Sequence, residues 1–158
     1  MAALKPLQID IVSDVVCPWC YIGKKRIEDA LALASDVPVH VNWRPFFLNP
    51  WVPREGITRD EYLTAKFGSP EAYKNIAGRV VAAATEEGLQ YNPGSVKRQP
   101  NTIDCHRLIL WAEAEGNVRI RPPVELDLLG IIEGRRVVVG GREIERDELS
   151  GRDGHPVN

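Results

Sequence analysis

No run in this 158-residue chain approaches the ~20 consecutive apolar positions that a membrane-spanning helix requires. The opening segment, MAALKPLQIDIV, holds one lysine and passes almost at once into strand-like alternation, leaving no room for the apolar region of a signal peptide. The expectation is a cytoplasmic protein without a membrane partner. A long basic stripe is also missing: 20 Lys and Arg stand against 22 Asp and Glu, for a net charge of -2, with no interleaving of basic and aromatic residues. Nucleic acid is therefore not an expected partner. Cysteine is scarce, with three in the chain. A reducing compartment rarely keeps structural disulfides, so closely spaced cysteines there point to catalysis, redox sensing or metal binding.

One absence is local. From Asn117 to Asn158 there is no alanine, lysine or aromatic residue, and Arg, Gly, Val and Glu dominate instead. Ordinary drift along one domain does not produce such a break. RRVVVGGREIE suits a hairpin turning at Gly140 and Gly141, and DELSGRDGHPVN has the composition of a disordered end. We expect residues 117–158 to be an atypical Arg/Gly/Val-rich tail, arising from a truncation or a change of reading frame.

With 44% hydrophobic and 27% charged residues, the rest reads as one globular domain with embellishments. Leu7, Ile9 and Ile11 alternate with polar residues, as do Val37, Val39, Val41 and Trp43, and between them Cys17 to Ala34 reads as a helix. A βαβ unit over residues 1–50 follows, with a parallel strand pair whose carboxyl ends are where sites collect on α/β sheets. Pro45, Pro50 and Pro53 then mark a connector into a helical insertion over 51–116. Its first helix is capped by Thr58 with Glu61 completing a capping box and Ile57 and Tyr62 forming a staple, and it stops at Gly68. Ser69 and Pro70 open the second, with Ala72, Ile76, Val80 and Ala83 on one face and a stop at Gly88. Asn101 or Thr102 caps the third, which runs to Gly116. Fold class is thus α/β with an inserted all-helical part.

The chemistry centres on DVVCPWCYIGK. A helix starting at Cys17 presents free amide hydrogens and its positive dipole end to that thiol, which favours thiolate and makes Cys17 the expected low-pKa nucleophile. Cys20, one turn on, sits within the ~4.4 to 6.8 Å Cα separation that a disulfide tolerates and is the expected resolving thiol. Pro18 suits the first helical turn, and Trp19 stands at the rim as an apolar contact. A zinc site would need two further ligands, and Cys105 and His106, consecutive on a helix, point about 100° apart. No metal is expected. Two inert buried thiols would not require Pro18 at a strand-to-helix junction.

The segments VCPWCYIGK, WRPFFLNP, a helical insertion and NTIDCHRLILWAEAEG, taken in this order, resemble the DsbA-like thioredoxin family over about residues 7–116, and specifically its FrnE-type branch. The sister branch is 2-hydroxychromene-2-carboxylate isomerase and kappa-class glutathione transferase. The resemblance implies a thioredoxin-like βαβ core with the second half of its sheet incomplete or atypical here, and thiol-disulfide exchange at Cys17 and Cys20 on protein or small-molecule disulfides. It implies no bound cofactor, with glutathione as a candidate co-substrate, and leaves room for a homodimer. It also places Asn101, Thr102, His106 and Arg107 at the mouth of the site, whereas by themselves Asn101 and Thr102 read equally as helix caps and Arg107 as a surface residue. Cys105 departs from the small residue expected beside His106 and reads as a buried small hydrophobe. The family's cis-proline segment and final helix have no counterpart; Pro122 and Pro123, in RIRPPVEL, are the sole candidates and sit in a dissimilar context. Three functions follow in order: a thiol-disulfide oxidoreductase, a glutathione-dependent isomerase or transferase in which Cys20 is dispensable, and a truncated non-catalytic relative.

Overall fold

The computed structural model describes residues 5–114 and, in the tail, 136–139 and 142–145. Strand β1 (Leu7–Ser13) and strand β2 (Val39–Pro45) pair in parallel, with Leu7 opposite Val39 and Ser13 opposite Pro45. Helix α1 (Pro18–Leu33) crosses between them. It begins one residue later than the sequence suggests, because Cys17 is extended (φ -91°, ψ 110°) and serves as the N-cap, with Pro18 supplying a φ already set for the first turn. On its outer face Lys24 and Glu28 pair at 2.7 Å, an i,i+4 contact of the kind worth a few tenths of a kcal/mol. Its inner face buries Ile22 against Val80 and Ala84.

Those two residues lie on α3 (Pro70–Glu86), which follows α2 (Arg59–Phe67). Thr58 caps α2, and the capping box with Glu61 is complete: the Glu61 N–H donates to Thr58 Oγ1, and the Thr58 N–H donates to Glu61 Oε2 at 2.8 Å. Ile57 packs on the cluster that contains Tyr62, as a staple does. Gly68 and Gly88 end the two helices at positive φ, 87° and 69°. Ser69 caps α3 by accepting from the Ala72 N–H. The buried face of α3 is Tyr73, Ala77, Val80 and Ala84, rather than Ala72, Ile76, Val80 and Ala83; Ile76 is 38% exposed. The reason is Tyr73, whose ring meets Phe67 at 4.9 Å and whose hydroxyl reaches that of Tyr91, so the largest side chain sets the rotation. Two short strands that carry no sequence signal, β3 (Ile57–Thr58) and β4 (Arg98–Gln99), pair antiparallel and bring the chain back to the start of α2.

Helix α4 (Ile103–Ala114) is the last of the described helices, and the expected stop at Gly116 lies outside the described residues. In the tail, β5 (Arg136–Val139) and β6 (Arg142–Glu145) pair antiparallel with Val139 opposite Arg142, so the Gly140–Gly141 pair falls between them. The conformation of those two glycines, of Pro122 and Pro123, and of the end from 146 onward lies outside the described residues. The architecture is α/β with an incomplete sheet: among the described residues β1 and β2 pair with each other alone. Val12 on β1 is 62% exposed and Leu33 at the end of α1 is 89% exposed.

Candidate active site around Cys17 and Cys20

The site begins where β1 ends. Ser13 and Asp14 are both buried, Asp14 with 1% of its surface exposed. The Asp14 carbonyl accepts the Cys17 N–H at 3.1 Å, and the Cys17 carbonyl then accepts from Cys20 and Tyr21, which starts α1. Both thiols are free and half-buried. Trp19 is exposed, and Pro18 is half-buried beside it.

The two thiols share a hydrogen bond, and it divides their acidities. Cys20 is pulled from an ordinary value of 9.0 to about 6, first because Cys17 donates to its sulfur; burial opposes this, while the Asp14 amide and the Ser13 hydroxyl assist. Cys17 is pushed up by the same hydrogen bond and by burial, against the downward pull of the Cys20 and Trp19 amides. The helix terminus acts on Cys17 and the thiol-thiol hydrogen bond acts on both sulfurs, so the two thiols titrate as one coupled pair. In physical terms the pair releases one proton readily and holds the other between the two sulfurs. Sequence offered no sign of the Ser13 contribution. That hydroxyl is buried without a hydrogen-bond partner among the described residues, and it favours the anion at Cys20.

Asp14 organises what surrounds the pair. Its carboxylate accepts from the Leu48 N–H at 2.7 Å and, at 3.4 Å, from the Val16 N–H and the Thr102 hydroxyl. His106, 3% exposed, places Nε2 at 3.3 Å from Asp14 Oδ1 and 3.1 Å from the Phe46 carbonyl. Two acceptors face that nitrogen, so it carries the hydrogen and donates to both. The Phe47 ring meets the imidazole edge-on at 5.2 Å. Asp14 thus joins the cysteine turn, the 46–48 loop and the start of α4. It was legible only as an ionisable residue set between an apolar strand and the first cysteine.

Of the four residues that resemblance placed at the mouth, Thr102 and His106 meet at Asp14. Asn101 does other work: its Oδ1 accepts the Ile103 N–H at 3.0 Å at the start of α4, and its Nδ2 donates to the Val52 carbonyl at 2.7 Å. Arg107 turns to Asp104 at 3.3 Å, a carboxylate that Arg54 also meets. Cys105 is buried. His106 Nε2, committed to Asp14 and Phe46, is not free to bind an ion that Cys17 and Cys20 hold, and no group of three or more metal-ligating side chains comes together among the described residues.

The chain is similar to a solved structure described as a probable DsbA oxidoreductase, SCO1869 of Streptomyces coelicolor, with a TM-score of 0.60 and 37% identity over 70% of this chain and 48% of that one. A 44-residue stretch is 41% identical to the uncharacterized YwbO of Bacillus subtilis (strain 168), covering 28% of this chain and 20% of that protein. The chain therefore spans about half the length of the solved relative and a fifth of the curated one. The profile of the DSBA-like thioredoxin domain matches residues 8–122, which include both cysteines, Asp14 and the whole of the described insertion. The chain belongs to the DsbA-like thioredoxin family.

Proposed function

We propose that the chain is a thiol-disulfide oxidoreductase of the FrnE type, exchanging electrons with a protein or small-molecule disulfide through Cys17 and Cys20. The observation that carries this reading is the thiol pair at the start of α1, sharing one proton with Cys20 drawn down to about 6. Near neutral pH the reduced pair is then a thiol and a thiolate in contact. Cys17 passes its proton to the Cys20 sulfur and attacks one sulfur of the substrate disulfide; the substrate S–S bond breaks, and one thiolate leaves with the proton that Cys20 gives up. Cys20 next attacks the Cys17 sulfur, the mixed disulfide breaks, and the second substrate thiolate departs. Two electrons have passed to the substrate and the pair has become a disulfide; the reverse sequence oxidises a dithiol. Glutathione enters as a co-substrate that recycles the pair.

The test is trapping. Cys20→Ser should accumulate a mixed disulfide at Cys17, seen by mass spectrometry under non-reducing conditions, while Cys17→Ser should not. Accumulation in Cys17→Ser alone reverses the two roles. Full turnover by Cys20→Ser with glutathione present moves the isomerase or transferase reading ahead.

A further inference from the structure

A second concave surface forms where the chain returns to the start of α2. Asn92 Oδ1 accepts the Gly94 N–H at 3.1 Å and turns the chain through Pro93–Ser95. Strand β4 then pairs with β3, and the Lys97 carbonyl accepts the Arg59 N–H at 3.0 Å. This sets Pro93, Val96 and Lys97 opposite residues of α2 and α3 across a cleft of about 490 Å³. Neither cysteine of the thiol pair lines it, nor do Asp14 and His106. The floor is apolar and buried, made by Leu63 of α2 and by Tyr73 and Ala77 of α3. Pro93 and Val96, both half-buried, add a wall without polar side-chain atoms.

The rim is cationic. Lys74 and Lys97 stand exposed there and form no ion pair among the described residues. Arg59, half-buried, is held in place: its Nη1 donates to Oε1 of the buried Gln99 at 2.9 Å, and its guanidinium carbon lies 5.0 Å from the centre of the Tyr73 ring and 5.2 Å from that of Tyr62. A guanidinium carries five N–H donors in a rigid fork, so the bond to Gln99 orients the group and leaves donors for a ligand. Asp60 is the one carboxylate on the cleft, since the neighbouring Glu61 is folded back onto Thr58. The helix terminus is not the attraction here, because the Arg59 and Glu61 N–H groups already donate to Lys97 and Thr58.

We propose that this cleft binds a small organic anion, its apolar body on Leu63, Tyr73 and Ala77 and its carboxylate against Arg59, Lys74 and Lys97. The volume suits a small molecule, for which pockets run roughly 300 to 1,000 Å³. The sign follows from three cations facing one carboxylate. A bare inorganic anion leaves the apolar floor in water, and a neutral apolar molecule covers the floor while giving the guanidinium no charged partner. A molecule with both parts uses the whole surface, and a guanidinium already fixed by Gln99 loses little freedom on meeting it.

The experiment titrates naphthoate into the isotope-labelled full-length chain and follows backbone amide shifts by NMR, with naphthylmethanol as the neutral counterpart and inorganic phosphate as the bare anion. Naphthoate should give saturable shifts at Ala77, Gly94 and Lys97, and both counterparts should bind roughly ten-fold more weakly. Reversing the two exposed rim charges, Lys74→Glu with Lys97→Glu, should weaken naphthoate roughly ten-fold and leave naphthylmethanol unchanged. Ala77→Leu, which fills the floor, should weaken both aromatic probes; the amide spectrum of each variant reports that it folds. Equal affinity for naphthoate and naphthylmethanol overturns the choice of an anion, and phosphate binding as tightly as naphthoate overturns the apolar body. No saturation at millimolar naphthoate, or shifts confined to the cysteine turn or to β1, overturns the site.

Discussion

At the residue scale the site depends on two buried groups that sequence inspection passes over, Ser13 and Asp14. The cysteine spacing and the proline between the thiols were legible because they are local; the coupling of the two acidities was not, because it depends on contact between two sulfurs and on polar groups at the end of β1. That coupling has a measurable consequence. Cys20 is depressed in the folded chain, so its ionisation contributes stability that is complete above 9.0 and lost as pH falls through about 6. The reduced chain should therefore melt at a higher temperature at pH 8 than at pH 6. Cys17→Ala, which removes the donor responsible for most of the shift, should narrow the gap; an equal gap in both would show that the thiol contact does not set it. Asp14 carries a separate expectation. Replacing it with alanine strands the Leu48 N–H, Thr102 and His106 in a buried space, and should cost about 3 kcal/mol in urea unfolding. Thr102→Val, which removes one weak contact, should cost under about 1 kcal/mol.

At the element scale the helices between Thr58 and Gly88 were read most completely, since caps and stops are written in neighbouring residues. Thr58, Glu61, Gly68, Ser69, Pro70 and Gly88 each occupy the place their side chain or conformational freedom suits. What local pattern could not supply was the rotation of α3, decided by where Tyr73 finds Phe67 and Tyr91, or the β3–β4 pairing of residues some forty positions apart. Glycine separates the two kinds of information. Gly68 and Gly56 both have positive φ, but a Cβ at Gly68 meets nothing within 4 Å, while one at Gly56 would lie 2.8 Å from the Gln99 carbonyl oxygen. Gly68→Ala should therefore cost about 1 to 2 kcal/mol, the conformational strain alone. Gly56→Ala should cost more than that, because the clash is with backbone and the β3–β4 pairing must shift. Equal costs in thermal melts would mean that this pairing yields without penalty. Thr58→Ala, which undoes the capping box, sets the scale at about 1 kcal/mol.

At the scale of the whole molecule, the sequence resemblance over about residues 7–116 and the family match over 8–122 cover nearly the same stretch, and the composition changes after Gly116. The strand pair that carries the cysteine turn leaves Leu7 and Val12 exposed on β1, apolar positions of the kind a fuller sheet or a covering helix would bury. Acidity of the pair, by contrast, is set within Ser13 to Cys20 and by the loop and helix that Asp14 joins to it. These two facts separate thiol chemistry from substrate alignment. We expect a chain carrying a family-type C-terminal half after Gly116, in place of residues 117–158, to gain thermal stability by covering β1 and to exchange disulfides with a protein substrate faster. Such a half adds a backbone edge against which an extended segment aligns, while alkylation at Cys17 and Cys20 should stay nearly unchanged. If the unaltered chain already exchanges as fast as the graft, the described half carries its own alignment surface and further strands beside β1 and β2 are not needed for turnover. If alkylation changes along with exchange, the acidity of the pair is not local, and the polar groups of Ser13 and Asp14 are too weak an account of it.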